Sequence, residues 1–262
     1  NHANRPAIDH KSKYIKIKHR LSEEDRKTFL NTIEGKYATP KEIIASVKCA
    51  DAVTCTTQML KDKLKEYTKA PIHILPNGIH PEDIQWRSFK TPTNITRIGW
   101  IGGVHHIHDV KIMKPAMEHL NTVDTGYSLY YGGWLDGADN NTIANIMSCE
   151  GRNKRFDVIP SLSVNSYGQM YNHIDVALAP LQKNTFNQCK SELKAIEAGW
   201  MGCAFVCSDM YPYRYICNKD NSILTNHRGW VDAIKLVLNE PNLMKDIAAK
   251  LSEDVRNKYD LR

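Results

Sequence analysis

Several patterns are missing from this sequence of 262 residues. No apolar run approaches the ~18 residues that span a bilayer, and the N-terminus lacks the apolar core of a secretory signal. The seven cysteines form no C-x-x-C pair, which argues against a disulfide framework and against a zinc ribbon. The sequence therefore predicts a cytoplasmic protein with reduced, mostly buried thiols and no membrane span.

The charge balance is basic, with 35 Lys and Arg against 29 Asp and Glu and a formal net charge of +6. Such a balance suits an acidic ligand, whether a sugar nucleotide, a nucleic acid or an anionic membrane surface. Much of the excess lies in residues 1–20, where Tyr14 is the only aromatic residue. Because a nucleic-acid arm would interleave aromatics with its basic residues, we predict a solvated arm here.

Two short apolar runs, at 174–181 and 203–208, have the composition of buried parallel strands. The polar segment between them reads as a loop and a helix, which makes a βαβ unit. Its loop lies at the carboxyl end of a strand, where open α/β sheets bind ligands. Further strands are predicted at 97–101, 127–131, 156–160 and 221–224.

The helix of this unit carries polar residues at a regular spacing. Lys190, Lys194 and Glu197 fall at i, i+4 and i+7 and share one face, while Leu193 and Ile196 lie on an apolar face. If the helix begins near Lys190, its N-terminus and both amines form a phosphate site. Glu197 is suited to accept hydrogen bonds from sugar hydroxyls. The alternative is an amphipathic surface helix with solvated lysines.

A glycine turn follows the strand predicted at 97–101. Gly102 and Gly103 permit a phosphate or a sugar to approach the backbone, although the G-x-G-x-x-G dinucleotide fingerprint is incomplete. A histidine-rich segment comes next, and it contains His106 and Asp109. Adjacent residues of one turn rarely converge on a single ion, so no metal site is predicted.

The first eighty residues show fewer parallel strands than a complete domain needs. A helix is predicted from 22 to about 34, a second from Pro40 to near Cys49, and a βαβ unit over 52–75. We therefore predict an incomplete domain at 1–80, a linker at 81–96 and a second domain at 97–262. The missing part would belong to a longer protein or to a partner chain, and we expect weak or no catalysis by this chain alone.

Four motifs, in order, resemble those of glycosyltransferase family 4-like enzymes (glycosyl transferases group 1), which have the GT-B fold of two Rossmann-like domains. The run D-V-A-L-A-P at 175–180, followed by F-N-x-x-K-S-x-L-K-x-x-E-A-G at 186–199, is similar to their donor-binding segment. A-D-A-V-T at 50–54 with L-P-N-G-I at 75–79 resembles the end of their acceptor domain, and G-W-I-G-G at 99–103 resembles the start of their donor domain. The resemblance runs from about Ala50 to Tyr213.

The resemblance implies an α/β fold with a Rossmann-like parallel sheet, preceded by an incomplete part of a second Rossmann-like domain. It also implies transfer of a sugar, with retention, from a nucleoside diphosphate donor of the UDP or GDP type. The implied catalytic residues are His106, Asp109, Lys190 and Lys194. The implied donor-binding residues are Gly102, Gly103, Asn187, Ser191, Leu193 and Glu197. Cys189 stands where the family has the first of two glutamates.

No metal or other cofactor is required in this account, because the lysines would neutralise the leaving diphosphate. The acceptor stays open among a saccharide, a protein and a modified DNA base. The alternatives are a non-catalytic module that binds a sugar nucleotide or a nucleic acid, and a glycosyltransferase acting on modified DNA.

Overall fold

The computed structural model describes residues 40–134 and 138–262. The basic arm predicted at 1–20 and the helix predicted at 22–34 lie outside the described residues. The chain divides into two compact units, Asn1–Pro76 and Asn77–Arg262. Among the described residues, no helix combines the length and the apolar character needed to cross a membrane.

The described part of the first unit is a small βαβ arrangement. Its elements are α1 (Pro40–Cys49), β1 (Val53–Cys55), α2 (Gln58–Leu64) and β2 (Ile72–Ile74). The two strands pair in parallel, with Val53 opposite Ile72. Thr57 begins α2 because its hydroxyl accepts a hydrogen bond from the Leu60 N–H at 3.2 Å. This confirms the predicted βαβ unit.

The second unit is built on a parallel sheet of six strands. They are β3 (Thr96–Ile101), β4 (Tyr127–Trp134), β5 (Phe156–Pro160), β6 (Val176–Ala179), β7 (Ala204–Ser208) and β8 (Ile223–Thr225). The spatial order is β5-β4-β3-β6-β7-β8, and every neighbouring pair is parallel. The predicted strands are confirmed, and β4 continues beyond its predicted end at 131 through Gly132 and Gly133 to Trp134.

Helices cover both faces of this sheet. They are α3 (Ile107–Val110), α4 (Lys114–Asn121), α5 (Ala138–Met147), α6 (Thr185–Gln188), α7 (Leu193–Trp200), α8 (Trp230–Asn239) and α9 (Pro241–Tyr259). Alternate residues of β7 belong to different cores, since Val206 packs in the cluster that includes Trp230 of α8 while Phe205 packs in the cluster that includes Leu251 of α9. A strand buried on both faces reads as a continuous apolar run, as the sequence of β7 does.

The strand order creates a topological switch point. From the central strand β3 the chain proceeds outward through β4 and β5, then crosses to β6 on the other side of β3 and proceeds outward through β7 and β8. The connections after β3 and β6 therefore leave the sheet toward opposite sides. Open α/β sheets bind ligands in the crevice that opens between two such strands at their carboxyl ends.

The segment predicted as a linker, 81–96, lies within the second unit. A 3₁₀ turn at Ile84–Trp86 lies against a longer 3₁₀ turn at Tyr167–His173. The Gln169 side-chain amide donates to the Gln85 carbonyl at 2.7 Å, and the Phe89 N–H donates to the Asn172 side chain at 2.8 Å. The domain boundaries at 80 and 96 remain predictions.

Candidate functional site

The predicted site residues gather at the carboxyl ends of β3 and β6, beside the switch point. Gly102 extends β3, since its N–H donates to the Gly132 carbonyl at 2.9 Å. Lys194, at the start of α7, donates through its ammonium to the carbonyl of Ile101. This contact joins the helix that follows β6 to the end of β3.

The helix predicted to begin near Lys190 is interrupted, and that prediction is wrong. The Asn184 side chain accepts from the Asn187 N–H at 2.8 Å, which starts the short helix α6. Helix α7 then begins only at Leu193, with the Glu192 carbonyl accepting from the next turn. Lys190 therefore lies between two helices rather than on the face of one.

Asp109 is the centre of a polar network, called here the Asp109 network. Its buried carboxylate accepts from the Gln182 N–H at 2.8 Å, the Asn187 side-chain amide at 2.7 Å, His106 Nδ1 at 3.0 Å and Lys190 Nζ at 3.4 Å. Burial alone would raise the pKa of this carboxyl, but these hydrogen bonds and the charge of Lys190 lower it to about 2. Asp109 is therefore ionised and accepts from four donors at once.

Opposing effects act on the pKa of His106. The hydrogen bond to Asp109 raises the pKa of its imidazole, but burial and the charges of Lys194 and Lys190 outweigh it, so the pKa lies below the usual value. The edge of the His106 ring faces Trp100, with 6.0 Å between ring centroids.

Both lysine ammonium groups lie partly inside the protein and near aromatic rings. Lys190 Nζ lies 5.0 Å from the centre of the Phe186 ring, and Lys194 Nζ lies 5.6 Å from the Trp100 ring. Burial lowers the pKa of each ammonium. These contacts exclude the alternative of a surface helix with freely solvated lysines.

Glu197 is buried, with 6% of its surface exposed. One of its carboxylate oxygens accepts from the Tyr171 hydroxyl at 2.8 Å. Burial raises the pKa of Glu197, although the charge of Lys194 opposes this. Burial also raises the pKa of Tyr171, which keeps that hydroxyl protonated and able to donate.

The remaining predicted residues lie around this centre. The Ser191 hydroxyl accepts from the Asn77 side-chain amide at 2.7 Å. Leu193 is 38% exposed at the start of α7. Gly103 faces open space, since a Cβ added there would meet no described atom within 4 Å. Cys189 ends α6 and is half-buried.

The structure adds contacts that sequence reasoning missed. Trp100, Gln182 and Tyr171 are not among the predicted site residues, yet each contacts one of them. Gln182 contributes through its backbone N–H, a group that every residue except proline has, so its residue type could not indicate this contact. Asn77 lies in the L-P-N-G-I motif at 75–79, and its place in that motif is the sequence feature that could have indicated a role near the site.

A separate cleft lies away from these residues. It has a volume of about 450 Å³ and is found at the amino ends of β3 and β6, beside the ion pair of Arg97 with Asp175. None of the predicted site residues lines it. Ligands of open α/β sheets bind at the carboxyl ends of the strands, so the candidate site remains at the other edge. Within the described ranges, no group of three or more His, Cys, Asp and Glu residues is placed to hold a metal ion.

A comparison with protein-family models and with curated proteins finds no match. Solved structures do match. Sucrose-phosphate synthase of Thermosynechococcus elongatus aligns over 93% of this chain and 61% of its own, with a TM-score of 0.64 and 14% identity. A glycosyltransferase of Rickettsia africae aligns over 96% of this chain and 76% of its own, with a TM-score of 0.64 and 14% identity. HepE of Anabaena, solved with UDP and glucose, aligns over 82% of this chain and 61% of its own, with a TM-score of 0.62 and 13% identity.

The chain thus spans less than two thirds of the length of the sucrose-phosphate synthase and of HepE. At these identities the likeness concerns the fold. Together with the parallel sheet and its switch point, it shows that this chain has the GT-B fold of the glycosyltransferases to which it is similar.

Proposed function

We propose that this chain binds a nucleoside diphosphate sugar at the carboxyl ends of β3 and β6 and serves a glycosyltransferase that moves the sugar to an acceptor. The observation that carries the proposal is a group of basic side chains at the switch point. Lys190 and His106 contact the buried carboxylate of Asp109, and Lys194 acts on the His106 imidazole and donates to the Ile101 carbonyl at the end of β3. Such a concentration of partly buried positive charge is suited to an anionic ligand.

The diphosphate would lie against the two ammonium groups and the first turn of α7. The side chain of Glu192 makes no capping hydrogen bond at this helix end. Among the described residues, the backbone N–H groups of Leu193 and Lys194 have no hydrogen-bond acceptor. Unpaired N–H groups and the helix dipole favour a phosphate there. Gly102 and Gly103, across the crevice, leave the backbone accessible to the same ligand.

The nucleoside would contact Glu197, whose carboxylate is suited to accept from the ribose hydroxyls. Tyr171 holds one oxygen of that carboxylate at 2.8 Å, so the carboxylate has a defined orientation before the ligand arrives. Ser191 and Leu193 border the same region at the start of α7. His106 and Asn187, both bonded to Asp109, would contact the sugar or the phosphates.

In the proposed reaction, the bond between the sugar and the diphosphate breaks, and negative charge develops on the leaving diphosphate. Lys190 and Lys194 would stabilise that charge without a metal ion. A single placed donor of this kind accelerates a reaction by roughly 10²–10³. Retention of configuration is proposed from the family resemblance alone, and Cys189 supplies no carboxylate at the position of the family's first glutamate.

UDP is the first donor nucleotide to test, because HepE was solved with UDP and glucose, and GDP is the second. We propose that the acceptor-binding part belongs to a longer protein or to a partner chain, and that the protein acts in the cytoplasm. The acceptor, whether saccharide, protein or modified DNA, is open.

The direct test measures release of UDP from UDP-glucose and of GDP from GDP-mannose, with nucleotide binding measured in parallel by calorimetry. Lys190→Ala and Lys194→Ala are compared with Lys183→Ala, a control at an exposed lysine of the same connection. The proposal expects saturable binding that only the first two variants weaken. Weak or absent release is expected from this chain alone, so robust release would show that the predicted missing part is not needed for transfer. Absence of binding by either nucleotide would overturn the proposal.

A further inference from the structure

His106 lies within a small group of charges contributed by three segments. Asp109 of α3 contacts its Nδ1 at 3.0 Å, and the same carboxylate oxygen lies 3.4 Å from Lys190, between α6 and α7. Lys194 of α7 shares the ring of Trp100 with His106, its ammonium 5.6 Å and the imidazole 6.0 Å from the ring centre. These three side chains are the charged groups that act on the imidazole.

The hydrogen bond to Asp109 determines which nitrogen of His106 carries the hydrogen. An ionised carboxylate can only accept, so Nδ1 must donate. In the neutral imidazole, Nε2 therefore has a free lone pair. No described residue forms a hydrogen bond with Nε2, so this nitrogen is available to a proton or to a ligand.

The charge balance of the group disfavours a second proton on the ring. Two ammonium groups act on the imidazole, whereas the carboxylate of Asp109 is shared among His106, Lys190 and two further donors. A diphosphate bound to Lys190 and Lys194 would reverse this balance by adding negative charge beside both cations. The imidazolium would then be stabilised rather than repelled.

We propose that His106 takes up a proton from solvent at Nε2 when a nucleoside diphosphate binds, and that the new N–H donates to an oxygen of the ligand. Nδ1–H stays on Asp109 throughout, so one proton is added and no bond to carbon or phosphorus changes. This inference rests on the proposed function and assigns His106 the role of a proton acceptor in the binding step.

Calorimetry tests the proposal through proton linkage. UDP is titrated into the full chain at pH 7 in buffers with different ionisation enthalpies, and the slope of the observed enthalpy against the buffer enthalpy counts the protons taken up. His106→Gln removes the titrating ring and retains an amide that can donate a hydrogen bond. We expect the wild-type slope to exceed the slope of this variant by roughly half a proton per UDP. Subtracting the slope of the variant from the slope of the wild type removes the contribution of protons that UDP itself or the lysines exchange.

His105→Gln is the matched control, because His105 is an exposed histidine next to His106 in the chain. Its slope should equal that of the wild type. Equal slopes in wild type and His106→Gln, or an equal loss in His105→Gln, would overturn the inference while the donor site stands. Absence of UDP and GDP binding by the folded wild type would overturn the inference together with the donor site.

Discussion

The Asp109 carboxylate and the Lys190 ammonium lie 3.4 Å apart although the two residues are 81 positions apart in the chain. One follows β3 and the other follows β6, so the pair bridges the crevice at the switch point. The ion pair is largely buried, with side-chain exposures of 7% and 25%. A lysine held in this way is already oriented when an anion enters, which reduces the entropy lost on binding.

The two site lysines should contribute separately to nucleotide affinity. Each ammonium would donate a charged hydrogen bond to the diphosphate, and such bonds contribute about 1.5–3 kcal/mol. We therefore expect Lys190→Ala and Lys194→Ala each to weaken UDP or GDP binding by about tenfold or more. Calorimetric titration measures the affinity, and unchanged values in both variants, with Lys183→Ala also unchanged, would remove the lysines from the site.

Glu197 should determine whether the protein recognises ribose. The wild type is expected to bind a ribonucleoside diphosphate more tightly than the 2′,3′-dideoxy form, because the carboxylate accepts from vicinal hydroxyls. Glu197→Gln should lose this preference and bind the ribose form about tenfold more weakly. The amide oxygen still accepts from Tyr171, so the fold should be retained. Equal discrimination by wild type and variant would show that Glu197 has only a structural role.

Asp109 should make stability depend on pH in acid. Its folded pKa of about 2 lies below the ordinary carboxyl pKa of 3.8, so the ionised carboxylate stabilises the fold above about pH 4, and this stabilisation is lost as the pH falls toward 2. The difference corresponds to roughly 2 kcal/mol of unfolding free energy. Asp109→Asn should flatten this dependence, as measured by denaturant unfolding between pH 2 and pH 5. Asp124→Asn, at an exposed aspartate, serves as the control. If the unfolding free energy of Asp109→Asn depended on pH as steeply as that of the wild type, the prediction would be contradicted.

Two glycines at the crevice should respond differently to alanine. Gly133 has a φ of +98°, and a Cβ added there would lie 2.9 Å from the Gly102 carbonyl oxygen. Gly133→Ala should therefore lower the unfolding free energy by about 1–3 kcal/mol. At Gly103, open space surrounds the added methyl group, so stability should change by less than about 0.5 kcal/mol.

The Gly103 variant then tests the ligand rather than the fold. If a phosphate or sugar approaches the backbone at this turn, the methyl group of Gly103→Ala should weaken binding of a UDP-sugar. Thermal unfolding confirms that the variant is folded, and calorimetry measures the affinity. Wild-type affinity would place the ligand away from Gly103.

Local pattern was sufficient to locate most elements. The apolar run at 203–208 predicts β7 to within a residue, and Pro40 correctly marks the start of α1. Both signals are contained in neighbouring residues, because a buried strand is apolar on both faces and proline fits the first helical turn. The order of motifs along the chain likewise indicated the residues of the candidate site.

The sequence alone determined which segments are strands, which residues are candidates for the site, and the approximate limits of the second unit's elements. Tertiary structure decided that α7 begins at Leu193 rather than near Lys190, that Asp109 receives four donors, and that Glu197 lies against Tyr171. The physical reason is distance along the chain. The side chains that contact Asp109 and Glu197 from other elements are 26 to 81 residues away, and only the strand order of the folded sheet brings them to one edge.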